Sequence, residues 1–168
     1  ALSRVPEDAV DNALNLRFLH RGEIKEDRVV NYDDRFQYGE DMIDSGKWGK
    51  EITSELGRTE RIKGSRGREE VAVIPRDELI KITSEWDAMA LQDGDIIFFI
   101  KAPTSRVVGE IVGHIGIVTV KEGVLYMFHA SGTKKSDASP SGGSVKSVML
   151  SGYIEKMKFI GVRVTRFK

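Results

Sequence analysis

The chain contains no cysteine among its 168 residues, which excludes disulfides and thiolate zinc sites and, within these residues, a cysteine nucleophile. An excess of charge of either sign is also missing: 26 basic residues balance 26 acidic ones, spread along most of the chain. That balance provides no electrostatic case for nucleic acid or for an acidic membrane surface, so any partner must be recognised locally. Long apolar runs are absent too. The longest covers residues 96–100, far below the ~20 residues that span a bilayer, and the amino terminus carries no charged-then-apolar signal pattern. Nor does the chain start on methionine; Ala1-Leu2-Ser3 reads as the start of a processed or truncated piece. What is present, 40% hydrophobic and 8% aromatic residues, suits one ordinary globular domain rather than a repeat array or a large two-domain enzyme.

Two textures divide the sequence. Residues 1–90 read as helical and polar. After Pro6, the positions Val10, Ala13, Leu14, Arg17 and Phe18 fall on one helical face, with Glu7, Asp8 and Asp11 in the early turns where the helix dipole favours acids, which predicts a helix over 6–19. A second helix is expected from Asp33 or Asp34 to Gly46, and a third after Pro75, where Leu79, Ile82, Thr83 and Trp86 share a face, ending before Gly94. Between them Arg58, Arg61, Lys63, Arg66 and Arg68, set among glycines and diluted by glutamates, read as a mobile basic loop with a solvated surface. From Asp95 onward, short β-branched and aromatic runs predict strands at 95–101, 112–120, 124–130, 144–150 and 159–167. Helices first and strands afterwards, without crossover helices, argue an α+β domain with an antiparallel sheet. The Ser-, Gly- and Lys-rich stretch 131–144 reads as a long loop at a strand end, a common place for function.

Two of the three histidines, His114 and His129, lie in consecutive predicted strands joined by Lys121-Glu122-Gly123. A two-residue loop of Lys121-Glu122 sets His114 directly opposite His129. A loop of Glu122-Gly123 makes them diagonal neighbours on the same face. A three-residue loop without a compensating bulge would send them to opposite faces. Gly113 and Gly116 beside the first histidine, and Ala130-Ser131 after the second, leave room for a substrate backbone. On residues alone the pair is either an incomplete catalytic site, a pair of half-buried histidines satisfied by backbone, or two metal ligands wanting a third, for which Asp95 is the one obvious candidate.

The run Leu91-Gln92-Asp93-Gly94-Asp95-Ile96-Ile97-Phe98-Phe99, then Gly113-His114-Ile115-Gly116-Ile117-Val118, then Phe128-His129-Ala130-Ser131 resembles the NlpC-type, papain-like cell-wall peptidase superfamily. In that superfamily a GD-hydrophobic strand precedes an HxGI strand bearing the catalytic histidine, and a following strand ends in HAS. A closer resemblance, over nearly the whole chain, is to the bacterial envelope family of N-acetylmuramoyl-L-alanine amidase-like proteins. It rests on Arg35-Phe36-Gln37-Tyr38, Ile74-Pro75 and Gly161-Val162-Arg163-Val164-Thr165-Arg166, with Gln37 in place of the family's histidine and Trp48 near its tryptophan. The family's cysteine opens a helix on the amino-terminal side of all these motifs, and Ala1-Leu2-Ser3-Arg4 resembles the tail of that helical stretch.

The resemblance implies helices packed on an antiparallel, partly barrel-like sheet of five to six strands. Residues 1–168 would then be one domain, the carboxy-terminal portion of a longer amidase-like domain, with helices over residues 1–90 and the sheet over residues 91–168. It implies cysteine-dependent hydrolysis of an amide in peptidoglycan or muropeptides, at the muramoyl-L-alanine bond or within the stem peptide, with the cysteine outside these residues. His114 and His129 would be catalytic, Arg35, Tyr38 and Ser131 would contact substrate, and no cofactor or metal would be needed. The partners would be peptidoglycan fragments or muropeptides, with no nucleic acid and no membrane span. The place of action would be periplasmic or extracellular, and the oligomeric state stays open. Two rivals remain: a wall-binding module that has lost the cysteine, and an unrelated β-rich protein holding a metal with His114, His129 and Asp95. If a cysteine helix normally packs on the sheet, these residues alone should expose an apolar patch on one sheet face.

Overall fold

The computed structural model describes residues 5–36, 39–64, 68–84, 91–107, 109–132 and 142–167. Helix α1 (Pro6–Leu16) starts on a proline, whose missing N–H costs nothing at that position, and carries Glu7 and Asp8 in its first turn. A small hairpin, β1 (Ile24–Lys25) and β2 (Arg28–Val29), turns through Glu26 and Asp27, both at positive φ. The helix expected from Asp33 or Asp34 to Gly46 is broken instead. A 3-10 turn spans Tyr32–Asp34, the backbone extends at Arg35 to bridge Phe18, and only α2 (Gly39–Asp44) is α-helical. The side chain of Asn31 accepts from the Glu23 N–H and donates to the Arg21 carbonyl, and these tertiary bonds outrank local helix propensity. Gly46 does end the segment, at φ 67°.

Short β3 (Lys50–Glu51) and α3 (Thr53–Leu56) lead into a hairpin of β4 (Glu60–Lys63) and β5 (Glu70–Pro75), where a basic loop was expected. Of the charges that suggested a loop, Arg61 and Lys63 sit on the exposed edge strand β4, where charge guards against further strand pairing, and Arg66 lies outside the described residues. The other two are matched by acids: Arg58 pairs with Glu60, Asp77 and Glu78, and Arg68 with Asp44. Helix α4 (Arg76–Ser84) follows Pro75 as the spacing predicts, burying Leu79 and Ile82; Trp86 lies outside the described residues.

The remaining elements are β6 (Ile96–Ile100), β7 (Val112–Lys121), β8 (Val124–Ser131), β9 (Ser144–Met149), α5 (Leu150–Lys156) and β10 (Gly161–Arg166). They join the earlier strands in one eight-stranded sheet of order β4-β5-β10-β6-β7-β8-β9, with β3 added on β10. Every described pairing is antiparallel, and the path stays open rather than closing into a barrel, so the architecture is α+β with a larger sheet than expected. Of the 1–90 half, the strands β3 to β5 belong to this sheet rather than to a helical layer.

Strand β6 explains its own apolar run. It lies between β10 and β7 and is buried on both sides, so it needs no polar alternation. Its even and odd positions enter two cores. Ile97 and Phe99 join Val118, Met127, Val162 and Val164 under α4 and α5, while Ile96, Phe98 and Ile100 join Ile43, Val71, Val73 and Val112 on the other face. Exposed apolar side chains occur on the sheet at Ile117, Phe128, Val145 and Met149. By strand alternation Ile117, Phe128 and Val145 stand on the face away from the α4 and α5 layer.

Candidate active site

The β7–β8 hairpin turns on Glu122-Gly123, with φ of 51° and 79°, and pairs Lys121 with Val124. Two consecutive positive φ values are the geometry whose twist matches that of the flanking strands. This is the second of the two same-face registers: His129 sits opposite Gly116, and His114 is its diagonal neighbour. Nε2 of His114 lies 2.9 Å from Nδ1 of His129, one ring N–H donating to the bare nitrogen of the other, with the ring centroids 5.0 Å apart and the planes at 81°. The Nδ1 atom of His114 has no hydrogen-bond partner among the described residues.

A β-bulge aims His114. The β6–β7 register pairs Phe99 with His114 but Ile100 with Val112, so Gly113 is the extra residue. The bulge lets Val112 pack in the core with Ile100 while His114, two residues on, points to the opposite face. A Cβ on Gly113 would lie 2.6 Å from Phe159 and 2.8 Å from Lys101, so any larger residue there must displace those side chains. Gly116 serves the partner strand: a Cβ on it would meet Met127 Sδ at 2.1 Å, so the Met127 side chain occupies the space over Gly116, the residue opposite His129.

Aromatic rings enclose the pair. The Tyr153 ring is 5.9 Å from His114 at 24° and 5.2 Å from His129 at 61°; Phe159 lies 6.3 Å from His114 at 9°, and Phe99 5.9 Å at 39°. Burial, and next the neighbouring His129, hold the His114 imidazole below its ordinary range, which favours the neutral ring. Burial likewise pushes the Tyr153 phenol up. A neutral, oriented imidazole with one nitrogen held and the other open is the equipment of a general base. None of the residues in ring or hydrogen-bond contact with the pair is a carboxylate.

The other residues singled out in the sequence divide. Ser131 ends β8 two residues beyond His129 and therefore on the same face, half-buried and paired in register with Ser144. The Arg35 guanidinium donates to the Tyr32 hydroxyl at 3.1 Å and lies 5.5 Å from that ring, in a groove with Val10, Leu14 and Phe18 of the α1 region. Tyr38 and Gln37 lie outside the described residues. Trp48 is structural, its indole N–H donating to the Leu16 carbonyl at 2.8 Å. Asp95, the candidate third metal ligand, is committed to two 2.7 Å bonds from Arg166 and one from the Gln92 N–H at 2.8 Å. That fork joins the start of the GD strand to the end of the Gly-x-Arg-Val-x-Arg strand. Among the described residues no group of three potential ligands could hold a metal ion. Sequence reasoning missed Tyr153 and Phe159, because the contacts that bring α5 and the start of β10 to the hairpin are long-range.

No family model matches the chain, and neither does any curated protein. Solved structures do. The chain shares its fold with an N-acetylmuramoyl-L-alanine amidase. That protein, from Bacteroides uniformis ATCC 8492, superposes in one crystal structure with a TM-score of 0.65 at 22% identity, over 98% of this chain and 75% of its own. A second structure of an N-acetylmuramoyl-L-alanine amidase from the same organism gives 0.62 at 23% identity, over 98% and 75%. A putative xylanase from Bacteroides fragilis gives 0.65 at 21% identity, over 98% and 77%. At such identities the likeness speaks for the fold alone.

Proposed function

We propose that this protein is a peptidoglycan hydrolase that cleaves an amide bond in muropeptides or cell-wall peptidoglycan. His114 is its proton-transfer residue, His129 its positioning partner, and the nucleophile is a cysteine outside these 168 residues. The observation that carries the reading is the 2.9 Å contact between His114 Nε2 and His129 Nδ1, which leaves His114 Nδ1 open. With the Nε2 proton donated to His129, the proton-free nitrogen of His114 is the one left for a thiol. The fold shared with N-acetylmuramoyl-L-alanine amidases supports amide chemistry. Glycoside hydrolysis calls for a pair of carboxylates, and imidazoles stand in this site instead.

In the reaction the thiol gives its proton to His114 Nδ1, and the thiolate adds to the amide carbon. Collapse breaks the C–N bond as the imidazolium returns the proton to the leaving amine, and a thioester remains. Water then attacks the thioester, passing its proton to His114, which hands it back to the departing thiolate. Throughout, His129 accepts from the far nitrogen and holds the ring in one orientation. Ser131, on the same face, and Tyr38 are proposed substrate contacts. Arg35, turned toward Tyr32, would reach substrate only if bound ligand extends to the α1 groove. The papain-like, NlpC-type ancestry and action in the periplasm or outside the cell belong to this same proposal.

The test is incubation of the full-length protein with defined muropeptides, followed by mass analysis. New amine and carboxyl ends, lost in a His114→Ala variant, are expected. Intact muropeptides that nonetheless bind would favour a wall-binding module instead, a reading that the absence of cysteine within these residues keeps open.

A further inference from the structure

The inner face of the three strands β7, β8 and β9 changes character at one height. Two rows are apolar: Val120 with Leu125, then Val118 with Met127 and Val148. The next row is Gly116, His129 and Lys146, and beyond it Ser131 pairs with Ser144. Directly opposite residues stand about 5 Å apart at Cβ, so Lys146 is the cross-strand neighbour of His129 on its face.

Three features of this corner are unexplained by folding alone. First, Lys146 is exposed and stands beside His129, yet it has no ion-pair partner among the described residues. Second, a groove of 350 Å³ is lined by Val148 and Met149 at the end of β9 and by Gly152, Tyr153 and Lys156 of α5, Tyr153 being the ring that touches both histidines. Lys156 also has no ion-pair partner among the described residues. Third, Gly152 is inside α5, where glycine costs about 1 kcal/mol relative to alanine, yet a Cβ there would have nothing within 4 Å. Packing therefore does not demand this glycine, and its place is in the lining of the groove.

We propose that the groove between β9 and α5 receives the part of the substrate that carries free carboxylates, with Lys146 as the specificity-determining cation and Lys156 as its second. The inference rests on the reading of the site as a muropeptide amidase, and it names which chemical feature of a stem peptide that site selects. Lys156 lines the groove, Lys146 stands two residues from Val148 on the same face of β9, and Tyr153 joins the groove to both imidazoles, so a peptide anchored there by its carboxylates would lie beside His114. A lysine on an edge strand can also serve only to discourage strand pairing, and the two roles separate experimentally.

Titration calorimetry of the full-length protein with a muropeptide bearing free stem carboxylates, and with the same molecule carrying carboxamides, decides the matter. The free acid is expected to bind about tenfold tighter, the effect of one charge-assisted hydrogen bond. Lys146→Gln should abolish most of that discrimination, Lys146→Arg should keep it, and Gly152→Leu should weaken both ligands by filling the groove. Equal binding of the two ligands by the wild-type protein, or no binding of either, overturns the inference, as does a Lys146→Gln variant that still discriminates. A variant that discriminates normally but aggregates assigns Lys146 to edge protection and overturns it as well. Discrimination with no cleavage products would remove the amidase reading and leave the carboxylate groove standing. Cleavage with no dependence on Lys146 would do the reverse.

Discussion

The two faces of the sheet each bury a polar cluster, and they treat it differently. On the face of Phe98, the buried Arg163 sends Nε and Nη2 to the two oxygens of Glu51, each at 2.8 Å, and Nη2 also reaches Asp44 at 3.5 Å. Burial would push the Glu51 carboxyl up, but the hydrogen bond and charge of Arg163, helped by the Thr53 hydroxyl, hold it below its ordinary range. Burial would likewise lower Arg163, and Glu51 and Asp44 overcome it. On the face of Phe99, the histidine pair has one internal bond and, among the described residues, no opposite charge and an open nitrogen. A cluster whose charges answer one another serves the fold. The Arg163 cluster also keeps a buried Nη1 without a hydrogen-bond partner, so what sets the histidine pair apart is the missing counter-charge and a burial that favours the neutral His114 ring, as the proposed proton transfer requires.

The sharpest way to break this contrast is to remove one residue from each face and read both activity and stability. His114→Ala should lower muropeptide hydrolysis by the full-length protein roughly 10²–10⁴-fold while moving the urea midpoint little; an equal loss of stability would make the pair structural. Glu51→Ala should do the opposite, costing about 3 kcal/mol in urea unfolding by stranding the buried Arg163. That is the low end for a buried pair because the Glu51 side chain is 34% exposed and Asp44 remains. A Glu51→Ala variant as stable as the wild type would show that the guanidinium is solvated some other way.

Gly116→Val probes the join between the faces. It displaces Met127 from over the residue opposite His129 and should cost about 1–3 kcal/mol by overpacking, with a loss of activity larger than the stability loss explains. Acid titration of stability gives the smallest and finest test. The depressed His114 imidazole contributes stability that is complete above the ordinary imidazole range and fades as pH falls through its lower folded value. Glu51 does the same in a window further down, below the ordinary carboxylate range. His114→Ala should erase the first step only, and Glu51→Ala the second only; a single merged transition in the wild type would deny that the clusters are independent.

Much of the fold was legible. The strands from β6 to β10 begin and end close to where alternation and turn residues put them, and α1 and α4 start at their prolines. The β4–β5 hairpin was hidden because an edge strand guarded by arginines and glutamates has the composition of a loop. Helix α5 was hidden because seven residues holding Gly152 and preceded by a strand carry little helical signal. Of the candidate site, the two histidines and Ser131 could be read from the sequence. What Arg35 touches could not, since the Phe18–Arg35 bridge and the Tyr32 contact arise from how the chain folds back.

The sequence alone determined that any two-residue turn between these strands puts His114 and His129 on one face, because strand side chains alternate strictly; the positive φ values of Glu122 and Gly123 then fix which register is used. Tertiary structure decided what surrounds them. The bulge at Gly113, the rings of Tyr153 and Phe159, and the lysine facing His129 across the ladder arise from contacts between segments distant in the chain. Local rules set the direction of a side chain; only the packed sheet and its helices set the company it keeps.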